Sequence, residues 1–393
     1  GHVEALSQAM LELLDRPRVR QEMSAHARRH AEKFSWTHHV EFLRELYRQI
    51  CIAILTNSFP PQRGGAAAIA SAQADILRAH GHEVYVCCPH VAWFASSILV
   101  RLFRHVFDLF PRQDLMDKIV HWKPDLLLTH NLTGCGFGTA PSIQRLGIKW
   151  IHVLHDVQLF EPSGRLRTTQ VTRWQEFWSW LRRRYFGAPD LVLSPTRWLV
   201  EEHERRGFFL HDRIEVLPNP SPSTQFVLRM PQDPMQLLLI GVTPEKGLTF
   251  AMDLVERLPF EVVLHVVGAG IPRAQGRVKM HGDKDAKDII EMMKTVDALL
   301  VPSTIAENQP TVILEAASVG LPVVAANIGG IAETLQGSGL LCPQGDTDSW
   351  IDAFMYLRQT NSYGLQASSM YELARRHDPL AYASMFLQLI SNL

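Results

Sequence analysis

Read for its apolar and polar positions, the chain changes period at residue 51. Before it, apolar residues recur at helical spacing: Val3, Leu6, Met10, Leu13 and Leu14 form one run, and Val19, Met23 and Ala27 a second after Arg16-Pro17. Ser35 is placed to cap a third helix through Val40, Leu43, Leu46 and Tyr47. From Cys51 onward, short continuous apolar runs alternate with amphipathic segments. The runs are CIAIL, HEVYVCC, DLLLTH, WIHVLHD, PDLVLSP and IEVLP, then LLLIG and the stretches at 262–267, 278–281, 299–301 and 321–325. Such runs read as strands buried on both faces, the pattern of parallel sheets covered by helices. The expected fold is α/β, with two Rossmann-like, doubly wound domains. A linker begins at Asn219-Pro220-Ser221-Pro222, which divides the chain into a helical segment at 1–50 and domains at 51–222 and 223–393.

Composition changes this picture little. A chain of 393 residues exceeds what one core usually serves, in keeping with two domains. A formal net charge of -1 argues against bulk attraction to nucleic acid, and no such partner is expected. Cys51, Cys87, Cys88, Cys135 and Cys342 contain no C-x-x-C pair and read as buried small hydrophobes in a reducing compartment. The 18 histidines show no metal-ligand spacing such as H-E-x-x-H, so no metal site is expected. No apolar run reaches the roughly 18–20 residues of a membrane span. With no signal-peptide pattern at the N-terminus, the expected location is cytoplasmic.

The chemistry concentrates at 297–345. Leu299, Leu300 and Val301 form a strand closed by Pro302 and Ser303, and a loop carrying Glu307 follows. Pro310 suits the first position of the next helix, with Asn308 or Gln309 near its cap. That helix contains Thr311 and Glu315 and stops at Gly320, before a further strand and a turn at Gly329-Gly330. A helix N-terminus is a phosphate site. Two carboxylates beside it cannot hold the phosphate, because like charges repel, but they can accept hydrogen bonds from hydroxyls of a ribose or a sugar ring. Phosphate, ribose and sugar together describe a nucleotide sugar.

Glu307 and Glu315, followed by GLPVVAANIGGIAE, resemble the E-x7-E signature of retaining glycosyltransferases of family 4, which have the GT-B fold. The resemblance implies that Glu307 faces the donor sugar and Glu315 binds the ribose, with Asn308, Gln309, Pro310 and Thr311 at the donor-binding helix start. FPPQRGG before a helix and GHEV is similar to that family's N-terminus, and implies that Gly65 lets the backbone approach the donor phosphate. The H-D pair places His155 against the donor sugar, and the base is expected to be read through backbone groups near Met280. In GVTPEKGL, Lys246-Gly247 matches the family's diphosphate loop, but Val242 or Thr243 stands where an arginine is usual. The resemblance covers residues 51–393, with the last helix, about 378–393, crossing back to the first domain. Residues 1–50 match the tail at 344–393 in plan: Asp378 sits where Ser35 does, and the segment resembles the C-terminal tail of a second family member.

The implied activity is retaining hexosyl transfer by front-face attack, without metal or cofactor beyond the nucleotide-sugar donor. The competing readings are a catalytically silent binding subunit, prompted by the missing arginine, and a nucleotide-sugar epimerase of the same fold. An NAD enzyme is disfavoured by the absence of G-x-G-x-x-G. The acceptor, a glycan or lipid-linked molecule, falls to the first domain. There SGRLRTTQVTRWQEFWSWLRRRYF (163–186) combines six arginines with aromatic residues, and VAWFASSILVRLFRHVFDLF (91–110) is a second amphipathic segment. Either both pack on the sheet with solvated arginines, or 163–186 serves as a membrane-surface helix in peripheral contact with the inner face of a membrane or as a surface for an anionic acceptor, with 91–110 the second candidate.

Overall fold

The computed structural model describes residues 2–32, 49–62, 64–89, 98–167, 170–227, 229–269 and 276–393. It divides into two compact units, Gly1–Gln49 and Ile50–Leu393. The first contains helices α1 (His2–Asp15) and α2 (Pro17–Glu32), which contact each other across the break at Arg16-Pro17. The expected third helix there, and residues 91–97 of the second amphipathic segment, lie outside the described residues.

The second unit holds two sheets. In chain order the first lobe runs β1 (Cys51–Leu55), α3 (Gly65–Ala79), β2 (Glu83–Cys87), α4 (Ile98–Phe107), α5 (Gln113–His121), β3 (Leu126–Thr129), α6 (Thr139–Gln144), β4 (Lys149–Val153), α7 (Arg173–Phe186), β5 (Leu191–Ser194), α8 (Arg197–Glu204) and β6 (Ile214–Val216). The second lobe runs β7 (Met235–Ile240), α9 (Leu248–Arg257), β8 (Val262–Val267), β9 (Val278–Met280), α10 (Ala286–Met293), β10 (Ala298–Val301), α11 (Thr311–Ser318), β11 (Val323–Ala326), α12 (Ile331–Leu335) and β12 (Leu340–Cys342). Helices α13 (Thr347–Leu357), α14 (Thr360–Arg376) and α15 (Pro379–Ser391) follow.

Both sheets have six strands, paired in parallel, in the orders β2-β1-β3-β4-β5-β6 and β12-β11-β10-β7-β8-β9. The fold is the expected pair of Rossmann-like domains. Central strands such as β3, β5 and β10 are buried at every residue, which is why they read as unbroken apolar runs. Each fully buried Leu, Ile or Phe contributes about 1.5–3 kcal/mol, so these strands fix the register of the sheets. Cys87, Cys135 and Cys342 are buried as expected, but Cys51 and Cys88 are only half-buried, since both lie at the ends of the outer strand pair.

The last helix belongs to the first lobe's core. Asp378 caps α15 by accepting from the Ala381 N–H at 2.8 Å. Tyr382, Phe386 and Ile390 then pack among Ile52, Leu128 and Ile151, and Gln73 Nε2 donates to the Tyr382 hydroxyl at 2.7 Å.

Candidate active site

The site grows from a switch in strand order. β7 and β10 are neighbours, yet the chain runs outward from β7 through β8 and β9 before returning to β10 on the other side. Connections leaving β7 and β10 therefore diverge and open a crevice at the carboxyl ends of the strands. β1 and β3 form the same switch in the first sheet.

After β7, two glycines with positive φ fold the loop down onto β10. A Cβ on Gly241 would meet Cγ of Lys246 at 2.7 Å, and one on Gly247 would fall 2.0 Å from the Pro302 carbonyl oxygen. Lys246 is thereby held against the next loop, where its Nζ donates to Oε2 of Glu307 at 2.7 Å. The Ser303 hydroxyl donates to the other carboxylate oxygen. From behind, the Gly330 N–H donates to the Glu307 carbonyl at 2.7 Å. Cβ atoms on Gly329 and Gly330 would come within 2.4 Å and 2.2 Å of the carbonyl oxygens of Glu307 and Asn308.

Pro310, expected at the first helical position, stands one residue outside it as the N-cap, with φ −63° and ψ 116°. Its ring fixes φ in the helical range but leaves ψ free, and here ψ is extended. Proline has no side-chain acceptor for the first N–H groups of α11, and no side chain caps that helix. Gly65 opens α3 directly against it: a Cβ there would lie 3.4 Å from Cγ2 of Thr311. The N-termini of α3 and α11 thus meet across the crevice. One turn into α11, the Thr311 hydroxyl bonds the Glu315 carboxylate, yet burial holds that carboxyl above its ordinary range.

His155 follows β4, and its Nε2 lies 2.8 Å from Nδ1 of His130, which follows β3. The rings stack with centroids 5.1 Å apart. Burial lowers His155 to about 4, and burial with the neighbouring rings holds His130 well below the usual imidazole range. Both rings are neutral at pH 7, so one nitrogen of the pair donates and the other accepts.

Asn308 and Gln309 use their side chains to join the lobes. Asn308 donates to the His155 carbonyl at 3.2 Å and accepts from the Thr196 hydroxyl, while Gln309 Oε1 accepts from the Asn219 N–H at 2.6 Å. Glu333 adds to the junction by accepting from the N–H groups of Arg197 and Trp198 at 2.6 and 2.9 Å, capping α8 from the opposite lobe. The loop that lacks an arginine at Val242 and Thr243 is reached by Arg165 of the first lobe, which pairs with Glu245 at 2.8 Å. Met280 ends the edge strand β9, at the same end of the sheet as Lys246 and Glu307 but two strands from β7. Ser303, His130 and Thr196 had no spacing signal, although His130 does end an apolar run as His155 does.

Comparison with known proteins gives this geometry its family. A profile described as "Glycosyltransferase Family 4" matches residues 63–222, and one described as "Glycosyl transferases group 1" matches residues 234–360. The chain belongs to the family 4 glycosyltransferases. It is 26% identical over 349 residues to a GDP-mannose-dependent alpha-mannosyltransferase of Mycobacterium tuberculosis, covering 80% of this chain and 90% of that one. A D-inositol 3-phosphate glycosyltransferase of Saccharomonospora viridis is 41% identical over 168 residues, 42% of this chain and 30% of that one. Among solved structures, sucrose-phosphate synthase from Thermosynechococcus elongatus superposes with a TM-score of 0.67 at 17% identity, over 88% of this chain and 99% of that one. Alr3699/HepE of Anabaena, in complex with UDP and glucose, gives 0.65 at 18% identity, over 88% and 100%. The glycosyltransferase therefore has the GT-B fold and transfers a sugar from a nucleotide sugar.

Proposed function

We propose that this glycosyltransferase moves a hexosyl group from a nucleoside diphosphate sugar to a glycan, lipid-linked or small-molecule acceptor, with retention of configuration and without a metal ion. The observation that carries the proposal is the meeting of the α3 and α11 N-termini beside Lys246 and two carboxylates of different setting. The helix ends and Lys246 attract the diphosphate. Glu315 accepts from the ribose hydroxyls, and Glu307 lies at the sugar. Neutral His155 bonds a sugar hydroxyl through the ring nitrogen that it does not share with His130.

The acceptor hydroxyl attacks from the face the nucleotide leaves. Its oxygen bonds the anomeric carbon as the bond from that carbon to the phosphate oxygen breaks, and its proton passes to the departing phosphate. The protein's part is positioning and stabilisation of the charge that develops on that phosphate. The first lobe, with His155 at its edge of the crevice, holds the acceptor. The unpaired, buried thiols of Cys87, Cys135 and Cys342 suit a cytoplasmic setting.

Two measurements test the proposal. An α-linked product should form from an α-nucleotide sugar in excess chelator. Inverted stereochemistry, or activity lost to chelator and restored by metal, would contradict it. By calorimetry, a nucleoside diphosphate should bind far more tightly than the nucleoside; equal affinities would rule out the helix ends and Lys246 as a phosphate site.

A further inference from the structure

Helices α4 and α7 of the first lobe share a surface that the nucleotide-sugar reading does not use. α7 has a buried face of Gln175, Trp178, Ser179, Arg182 and Phe186, repeating at helical spacing. On its outer face Trp174, Phe177 and Trp180 are 50%, 51% and 50% exposed. Their rings form a row, with centroids 6.1 Å apart from Trp174 to Phe177 and 6.2 Å from Phe177 to Trp180.

α4 lies alongside. His105 meets Trp178 edge-on at 5.9 Å, and Phe110, just beyond α4, meets Tyr185 at 5.3 Å. α4 and the turn after it also expose Phe103 and Phe107, at 64% and 72%, and Phe110. Aromatic rings this exposed over two adjacent helices form a patch, where scattered single residues would need no explanation.

The charge around the patch selects its partner. α7 exposes Arg173, Arg183 and Arg184 against a single acid, Glu176, and α4 has no acidic residue. The Arg184 guanidinium stands 5.6 Å over the Trp180 ring, a cation at the edge of an aromatic surface. Tryptophan with an apolar body and a polar tip, ringed by long cationic side chains, is the composition that settles at the headgroup level of a bilayer. Among the described residues no helix is long and apolar enough to cross a membrane, so such a contact lies on the surface. We propose that the α4–α7 face docks the enzyme on a bilayer surface rich in anionic lipid.

The inference concerns the outside of the first lobe and stands apart from the donor site, so nucleotide binding serves as an independent control. Flotation of the full chain with vesicles of phosphatidylcholine and phosphatidylglycerol, against phosphatidylcholine alone, provides the test. The wild type should float with the anionic vesicles, less so in high salt. The triple variant W174S/F177S/W180S should bind about a hundredfold more weakly, since each half-buried aromatic removes part of a large apolar contact. R173Q/R184Q should lose about fivefold for each arginine on anionic vesicles only. Both variants should keep wild-type nucleotide affinity, which shows that they are folded. Wild-type binding by the triple variant, equal binding to both vesicle types, or no binding at all would overturn the proposal. So would sedimentation of the wild type as a dimer that the triple variant dissolves, because a second copy would then cover the face.

Discussion

Nζ of Lys246 sits 2.7 Å from Oε2 of Glu307, tying the loop after β7 to the loop after β10 across the switch point. The pair is open to solvent on the lysine side, so its own contribution to stability is small, about 0–1 kcal/mol. On the proposed function, a diphosphate entering the crevice competes with Glu307 for the ammonium group. Glu307→Gln should therefore lower kcat by about a hundredfold or more, the scale on which a single charge-stabilising group acts, while the thermal midpoint hardly moves. Lys246→Met should raise KM as well as lower kcat. The double variant should lose less than the sum of the two, because the residues share one interaction. Strict additivity in kcat/KM would show that the contact has no part in turnover.

Glycines make a second prediction with opposite signs. At Gly330, φ is −82°, so alanine is not strained by conformation, but its Cβ would fall 2.2 Å from the Asn308 carbonyl oxygen. Gly330→Ala must displace the backbone that carries Glu307, and should cost about 1–3 kcal/mol together with most activity. Gly364 lies within α14 with no atom within 4 Å of a built Cβ. Gly364→Ala should stabilise by about 0.5–1 kcal/mol and leave turnover alone. Urea midpoints of the two variants decide the matter; Gly330→Ala with wild-type stability would mean that the Glu307 loop can move freely.

The buried parallel strands were legible because a strand covered on both faces has no polar positions to break its run, as β3 and β5 show. The loop with Glu307 and the helix with Glu315 were legible from punctuation by Pro302, Pro310 and Gly320, and the family from the spacing of the two glutamates. The partners of these residues were not. That Asn308 answers Thr196 and Gln309 answers Asn219 depends on how the lobes close, which no local pattern encodes. Arg182 read as one of a solvated run of arginines. It is buried, with its guanidinium 3.6 Å over the Phe137 ring and Nη1 donating to the Gln158 carbonyl at 3.3 Å. Its spacing from Gln175, Trp178 and Ser179 was the available signal.

His130 should position His155. Nε2 of His130 is buried without a partner, and an unpaired buried N–H is rarer than an unpaired acceptor, so the proton belongs on Nδ1, donated to His155. His155 is then left with its own proton on Nδ1. His130→Ala should release the ring and lower kcat/KM by up to about tenfold, one hydrogen bond's worth. His130→Asn, whose amide N–H can replace the Nδ1 donor, should recover much of it. Equal losses in both variants would point to a packing role alone.

Buried imidazoles set the acid limit of the fold. His203 is fully buried, its Nδ1 lies 2.8 Å from the Leu199 carbonyl oxygen, and burial lowers it from 6.5 to about 4. Between those values the unfolded chain binds a proton there that the folded chain does not, so stability falls as pH drops from 6.5 towards 4. His155, at about 4, and His130 and His152, also lowered by burial, act in the same direction. Asp108 and Asp156, raised by burial from 3.8 to about 6, act against them, since the folded state takes up their protons first as pH falls. His82, His265, His281 and His377 are lowered as well, and Asp212, Asp297 and Glu315 raised, so among the described residues eight imidazoles oppose five carboxyls, and the urea midpoint should be lower at pH 5 than at pH 7. His203→Phe keeps an aromatic ring beside Phe160 and Phe209 but removes one titrating group, and should narrow the difference between the two midpoints. Asp108→Asn, by removing an opposing group, should widen it. A midpoint difference unchanged by His203→Phe would mean that the imidazole takes up its proton without opening the fold.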